Sequence, residues 1–356
     1  MISDKNSNGK NILDFLEGDD EILVVSHFSP DGDAIGSMLA FGGILDQLGV
    51  DHTIVVDDIP PDKYNFMPDY KKIRSLRENP LDRKFRKVVI LDAGAIGRIG
   101  DAQKLIEKDA QILNIDHHFT GNPYGTVNII NSEASATAEM LYDICQELNI
   151  QVDLTIAYAL YVGILTDTGR FRFANSSSRA MSICAELLSK GVDAGWVTEN
   201  VYFNLPFELI QALAKSLLTL ELHHDGLVCV LRLDHGHYID DSEWFVGYAS
   251  SIKGVAMAAF ICEMDPGVYK VSLRSRCKVA VSEVARKFGG GGHLKAAGFR
   301  YRGKLNDLVP ELLSELGREI ETEGIRPGDF FVEPASADTV GSQAEWEFTE
   351  AEKGER

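Results

Sequence analysis

Apolar runs and helical patterns alternate along the first half of the chain. Residues 22–26, 53–57, 88–92 and 112–116 are short, nearly continuous apolar stretches rich in β-branched side chains, each ending at or next to a polar group. Runs of that length and make-up predict buried strands. Between the first two lies 34–48, where Ile35, Met38, Leu39, Leu45 and Leu48 recur at helical spacing before Gly49 closes the segment. Residues 134–148, 154–165 and 178–190 repeat the helical pattern, the last ended by Gly191. This alternation predicts an α/β fold: a parallel-sheet domain with helices on both faces. In such sheets ligands bind beyond the carboxyl ends of the strands.

The second half changes character. Residues 206–222 predict a helix, preceded by the looser stretch 192–205. Residues 227–233, 255–263 and 268–276 predict strands of a mixed sheet, and 279–288 a helix that runs into Gly289, Gly290, Gly291, Gly292 and His293. The expected organisation is a first domain over 12–185, a helical linker over 186–215, a smaller α/β domain over 216–333 and a tail over 334–356. From Phe331 to Arg356 seven acids face two bases with little apolar pattern, so the tail is expected to be disordered.

The length of 356 residues fits two domains better than one core. No apolar run reaches membrane-spanning length, and residues 1–10 lack an apolar signal core, so neither a membrane span nor secretion is expected. Cys145, Cys184, Cys229, Cys262 and Cys277 form neither a disulfide framework nor a CxxC pair, and a reducing cytoplasm is the expected location. The net charge of −19 argues against broad binding to nucleic acid, long duplex DNA included. The charge is uneven, however: residues 270–304 hold ten Lys and Arg against the single acid Glu283, ten minus one leaving +9. Such a segment suits a confined site for a small phosphorylated ligand, with a solvated basic face as the plain alternative.

Chemistry concentrates at the predicted strand ends. His27, Asp31 and Asp33 follow the first strand in a segment that Pro30 and Gly32 force into a tight loop. Asp92 ends another strand; Asp116, His117 and His118 end a third; Asp167 ends a helix. Hard carboxylates with imidazoles and no cysteine suit a pair of divalent ions such as Mn2+ or Mg2+. Paired ions activate water and clamp phosphate, so a two-metal phosphoesterase is the leading expectation. Asp92, whose carboxylate has two oxygens, is placed to bridge. Any one of these residues alone is as well explained as a turn or N-cap. Their joint occurrence within one α/β half is not. His223, His224, His235 and His237 have no partner carboxylates in pattern and read as turn or surface residues, as does His52. No G-x-G-x-x-G follows the first strand, which removes a dinucleotide-cofactor domain.

On the substrate side, Lys270, Ser272, Arg274 and Arg276 alternate with Val271 and Leu273, so two arginines could share a strand face and clamp phosphate. The glycine run leaves backbone open for an anion, with His293 as donor and Lys295 as charge. Gly290, Gly291, Gly292 and His293 are therefore substrate-binding candidates with Arg274 and Arg276. Arg98, Arg170 and Arg172 lie near the metal motifs and are weaker candidates.

With those residues in view, the chain over roughly 12–330 resembles the DHH phosphoesterase superfamily. The segments 26–37, 91–92, 116–118 and 163–169 look like its four motifs, and 289–293 like the glycine-rich motif of its DHH-associated C-terminal domain. The resemblance is nearest to bifunctional oligoribonuclease and pAp phosphatase proteins. It implies that His27, Asp31 and Asp92 hold one metal ion, most naturally Mn2+ with Mg2+ or Co2+ as substitutes. Asp33, Asp92, His117 and Asp167 hold the second. His118 then contacts the scissile phosphate, and Asp116 orients a neighbouring histidine. The implied substrates are short RNA and mono- or dinucleotides, held at their far end by the basic second domain across a cleft. The alternatives are a cyclic-di-AMP or pApA phosphodiesterase, a single-strand exonuclease and a non-catalytic nucleotide-binding module. A homodimer is compatible with such a fold, though no residue requires it.

Overall fold

The computed structural model describes residues 6–118, 123–237 and 242–327. The chain divides into two compact units between Asn204 and Leu205. The break falls inside 186–215, the expected linker, whose residues are shared between two cores. Leu187, Val192, Val197 and Val201 belong to the first; Leu209, Ala212 and Leu213 belong to a core of the second. The tail 334–356 lies outside the described residues, as do 328–333 of the expected second domain.

The first unit runs α1 (Asn6–Leu16), β1 (Ile22–Val25), α2 (Gly32–Leu48), β2 (His52–Val56), β3 (Ile73–Ser75), β4 (Phe85–Leu91), β5 (Ile106–Asp116), β6 (Val127–Ile130), α3 (Thr137–Glu147), α4 (Leu154–Asp167), α5 (Ser178–Ser189) and α6 (Ala194–Thr198). Its strands form one six-stranded sheet in the order β3-β2-β1-β4-β5-β6, parallel throughout. The strands expected from sequence are β1, β2, β4 and β5. In β3 and β6 the apolar run is interrupted, by Arg74 and by Asn128, so neither stands out in the sequence. Alternation sorts the side chains between two faces. Ile22, Val24, Val89, Leu91, Leu113 and Ile115 pack with the α-helices. Leu23, Val25, Val55, Val88 and Ile90 pack against Ile99, Ala102 and Leu105 of a 3-10 stretch, Ile96–Leu105. Helical elements thus cover both faces, but α-helices cover only one.

Two glycines let the helices behind the site approach closely. A Cβ at Gly36 would lie 2.3 Å from the Ala159 carbonyl oxygen, and one at Gly163 would lie 2.5 Å from the Ala138 Cβ and 2.8 Å from Asp33 Oδ1. Any side chain at either position would push α2, α3 and α4 apart.

The second unit runs α7 (Phe207–Leu217), β7 (Glu221–His223), β8 (Val228–Leu233), α8 (Val246–Ser251), β9 (Met257–Asp265), β10 (Val268–Ser275), α9 (Val281–Lys287), β11 (Gly291–His293), β12 (Ala296–Arg302) and α10 (Leu305–Glu323). Its sheet has the order β11-β12-β10-β9-β8-β7. It is mixed because β8 and β9 pair parallel while the other pairs are antiparallel. Helices α9 and α10 pack over Val228, Val230, Ala259, Ile261, Val271 and Leu273; α7 and α8 pack over Cys229, Leu231, Ala258 and Phe260. The helix expected over 206–222 stops at Leu217, and β7 takes its end. Thr219 makes the break: its Oγ1 accepts the Arg232 N–H at 2.7 Å and donates to the Ser216 carbonyl at 2.8 Å, tying the chain to β8. All five cysteines are buried and free. Among the described residues, no helix is long and apolar enough to cross a membrane.

Candidate metal centre

Strand order decides which polar ends meet. The sheet reverses direction of growth at β1, whose two neighbours are β2 and β4. Such a switch point opens a crevice beyond the carboxyl ends of the strands. His27 lies just past β1, Asp92 just past β4, and Asp116 ends β5. Ser26 Oγ donates to the Leu91 carbonyl at 2.7 Å and ties the first two of these ends together.

The loop after β1 is shaped by local hydrogen bonds. Asp31 caps α2, its Oδ1 accepting the Asp33 and Ala34 N–H groups at 3.0 and 3.1 Å. His27 Nδ1 lies 2.8 Å from the Phe28 carbonyl, which leaves Nε2 3.9 Å from Asp31 Oδ1 and 3.7 Å from Asp92 Oδ2. Asp92 holds a left-handed conformation at φ +53, a strained region for a non-glycine residue that concentrates at functional sites. Its second oxygen, Oδ1, lies 3.5 Å from His117 Nε2 and 3.4 Å from His118 Nδ1, and accepts a hydrogen bond from Thr137 Oγ1 at 3.2 Å. Two triads result, His27–Asp31–Asp92 and Asp92–His117–His118, within each of which ligand atoms lie within 4.8 Å of one another.

His117 Nε2 also reaches Asp167 Oδ2 at 3.5 Å, while Nδ1 lies 3.3 Å from the Ala134 carbonyl. Asp33 is fully buried and caps α3 from 104 residues away, Oδ2 accepting the Thr137 N–H at 2.6 Å and Oδ1 the Ala138 N–H at 2.9 Å. Ser37 Oγ also donates to Oδ1, the third donor to the carboxylate. A carboxylate has about four lone-pair sites, so Asp33 keeps roughly one for an ion. Asp116 grips His118 twice, its Oδ1 accepting the backbone N–H at 2.9 Å and facing ring Nδ1 at 2.7 Å. That contact fixes the ring and reads as an orienting pair rather than a metal ligand.

The electrostatics match the crowding. Burial drives the Asp92 carboxyl well above its ordinary range, reinforced by Asp33, Asp31, Asp167 and Asp116. Burial with Asp33 and Asp31 pushes Asp167 up to about 8 against the pull of His117. Asp33 is raised by burial and Asp31, against His117 and the α3 amides. Burial also pushes Asp31 up, but His27 and the α2 amides outweigh it and hold that carboxyl low. Burial keeps His27 below its usual value, and so available as a neutral donor. In His117 burial is outweighed by Asp167, Asp33 and Asp116, which raise it. In Asp116 burial is outweighed by His118, and the carboxyl is lowered. Carboxyl groups gathered out of water beside imidazoles are a donor set that divalent cations satisfy.

The six residues expected to bind metal, His27, Asp31, Asp33, Asp92, His117 and Asp167, thus converge with His118 and Asp116 on one end of the first unit's sheet. Arg98 joins them: its carbonyl accepts the Phe28 N–H at 2.7 Å and its guanidinium sits 5.6 Å from the Phe28 ring centroid. Arg170 lies over Tyr202 and Arg172 over Phe173. Two residues escaped sequence reading. Thr137 reaches Asp92 from the first turn of α3. Asn175 Nδ2 binds the Ser135 carbonyl at 2.9 Å and Asp167 Oδ2 at 3.3 Å. Neither has a sequence signature beyond lying near a helix start.

The other substrate candidates lie in the second unit. The alternation of β10 holds for Lys270, Ser272 and Arg274, whereas Arg276 falls past the strand's end and donates to the Ser250 carbonyl at 2.9 Å. Lys295 Nζ donates to the Cys277 carbonyl. The four glycines do not all leave open backbone. A Cβ at Gly290 would lie 2.2 Å from the Gly298 oxygen, and one at Gly292 would lie 2.6 Å from the Ala296 oxygen. These two are dictated by the pairing of β11 with β12. Gly289 and Gly291 face open space. The His293 side chain lies outside the described residues. His224 Nε2 meets the Leu313 carbonyl and His235 Nδ1 the Met264 carbonyl, both within the second unit. His52 is not a surface residue: its side chain is 9% exposed, with Nδ1 3.1 Å from the Val50 carbonyl.

Known proteins resemble the chain in sequence and fold. Residues 21–164 match the DHH family, N-terminal domain, and residues 225–322 the DHHA1 domain. The chain is 33% identical over 311 residues to the bifunctional oligoribonuclease and PAP phosphatase NrnA of Thermus thermophilus, covering 86% of this chain and 92% of that protein. It is 26% identical over 288 residues to the protein of that name from Bacillus subtilis, covering 78% and 88%. The crystal structure of an exopolyphosphatase-related protein from Bacteroides fragilis superposes with a TM-score of 0.79 at 28% identity, covering 89% of this chain and 96% of that one.

Proposed function

Because the chain belongs to the DHH family and carries its DHHA1 domain, we propose that it is a Mn2+-dependent phosphoesterase that hydrolyses short oligoribonucleotides to mononucleotides and dephosphorylates pAp. The observation that carries this reading is Asp92, whose Oδ2 faces His27 at 3.7 Å while Oδ1 faces His117 at 3.5 Å. One carboxylate turned to two donor groups is the arrangement a bridged pair of cations requires. The names of the two relatives support the substrate class. The five buried free cysteines suit a reducing cytoplasm.

His27, Asp31 and Asp92 would hold one divalent cation; Asp33, Asp92, His117 and Asp167 the other. Bound there, the ions would neutralise the carboxylates, lower the pKa of water and polarise phosphoryl oxygens. The chain's own residues supply orientation. Asp116 holds the His118 ring so that it can contact the scissile phosphate and hold or give a proton there. Thr137 and the α3 amides fix Asp92 and Asp33 before substrate arrives, and preorganisation of this kind lowers a barrier without reorganisation during the reaction. Arg274 and the Gly291 backbone are the candidate contacts for the rest of the substrate. With water activated in this way no Ser or Cys nucleophile is needed, so attack by water without a covalent intermediate is the expected route.

Initial rates with Mn2+ on pAp, pApA, a short RNA, cyclic-di-AMP and a long single strand, each repeated with chelator, test the proposal. Fast, chelator-sensitive turnover of pAp and short RNA is expected. Preference for cyclic-di-AMP or pApA would move the enzyme to second-messenger turnover, and preference for the long strand to exonuclease action. Tight nucleotide binding with no hydrolysis would leave a binding module.

A further inference from the structure

We propose that Asp58 is a positioning residue for the metal-site loop: by holding Ser29 in a left-handed turn it sets where His27 and Asp31 present their ligand atoms. The inference rests on the metal-dependent reading above. Ser29 lies midway between those two ligands at φ +51. That conformation is unfavourable for an L-residue. It is doubly so here, because Pro30 follows and a residue before proline is pushed toward extended backbone. The loop's own sequence therefore opposes the shape it takes, and an outside tether is needed.

Asp58 supplies the tether from the end of a different strand, just beyond β2. Its Oδ2 accepts the Ser29 N–H at 2.8 Å and the Ser29 hydroxyl at 3.1 Å. Its Oδ1 is ion-paired with Arg77, whose own N–H donates to the Asp57 carbonyl at 3.2 Å. The carboxylate is thus fixed before it grips the loop, and it is only 19% exposed. The neighbouring residues are fixed by other means: Phe28 by its N–H on the Arg98 carbonyl, Pro30 by its ring. Ser29 is the remaining hinge between His27 and Asp31, and the 3.9 Å separation of their ligand atoms is measured across it. Asp58 itself faces none of the cluster's ligand atoms among the described contacts, so its effect on metal must pass through the turn.

The test uses the full chain stripped with chelator and titrated with Mn2+ by calorimetry, with melting curves recorded in chelator. Asp58→Asn and Asp58→Ala are expected to weaken Mn2+ binding, Asp58→Ala by about 10- to 100-fold, the usual range for residues that orient metal ligands. Adding Ser29→Gly to Asp58→Ala is expected to restore most of that affinity, because glycine takes the left-handed turn without a tether. A purely structural role would not respond to that second change. Wild-type affinity in both Asp58 variants, or a loss that Ser29→Gly does not restore, would overturn the inference. Absence of Mn2+ binding in the wild-type protein would instead overturn the metal-dependent reading on which it rests.

Discussion

Replacing Asp167 with asparagine in metal-free protein removes one partly buried ionisable group and leaves its shape. The carboxyl ordinarily ionises near 3.8, and in the fold burial, Asp33 and Asp31 push it up to about 8. An acid raised by folding keeps its proton longer in the native state than in the unfolded chain. Between pH 4 and 8 the native state therefore binds more protons, and stability falls as pH rises through that window. Each pH unit there is worth about 1.4 kcal/mol, so by pH 7 the wild-type site weakens the metal-free fold by roughly 4 kcal/mol. Asparagine carries no such penalty. It does lose the carboxyl's contact with His117 at 3.5 Å, and it sets an amide against the Asn175 donor; together these offset about 1–3 kcal/mol. The net expectation for Asp167→Asn in chelator is a gain of about 1–3 kcal/mol at pH 7, shrinking toward zero near pH 4. Denaturant unfolding of both proteins in chelator from pH 4 to 8 measures it. With Mn2+ the sign reverses, since an ion at a thousandfold its Kd stabilises the wild type by about 4 kcal/mol and the variant by much less. A variant less stable than the wild type in chelator at pH 7, or a difference indifferent to pH, would refute the reasoning.

Four further perturbations separate the parts of the site. Asp116→Asn should lower kcat by about 10- to 100-fold with Mn2+ affinity intact, because it frees the His118 ring without touching a ligand; a parallel loss of affinity would show Asp116 to be a ligand. Gly163→Ala would place a methyl 2.5 Å from the Ala138 Cβ and 2.8 Å from Asp33 Oδ1. It should cost about 1–3 kcal/mol in unfolding experiments and weaken Mn2+ binding in calorimetry. Gly290→Ala should destabilise the second unit by a similar overpacking cost, about 1–3 kcal/mol by melting. Gly291→Ala, with open space around it, should leave the melting temperature unchanged and raise KM if that backbone approaches substrate; unchanged kinetics would remove the loop from the substrate site.

Much of the fold and of the site was legible from local pattern. Apolar runs ending in His27, Asp92 and Asp116 announce strands and what stands at their ends, because side-chain alternation and strand length are settled within a few neighbours along the chain. The donor chemistry was legible for the same reason: residue type alone says that carboxylates with imidazoles suit hard divalent ions. Strands β3 and β6 were not legible, since Arg74 and Asn128 interrupt their apolar runs, whereas the equally short β1 is apolar throughout. The true end of α7 was hidden as well, because Thr219 is held by Arg232 from the neighbouring strand.

What only the tertiary structure decided is which groups meet. The order β3-β2-β1-β4-β5-β6 puts the ends of β1, β4 and β5 side by side, and no local pattern specifies strand order. Asp33 caps α3 across 104 residues, Asn175 holds Asp167 from beyond a loop, and Asp58 holds Ser29 from beyond β2. A Cβ at Gly290 or Gly292 would run into β12, a contact that no local pattern specifies. Hydrogen bonds and steric contacts between distant segments depend on how the chain packs, so the sequence by itself determined the elements and the kinds of donor at their ends, and packing determined which of those groups meet.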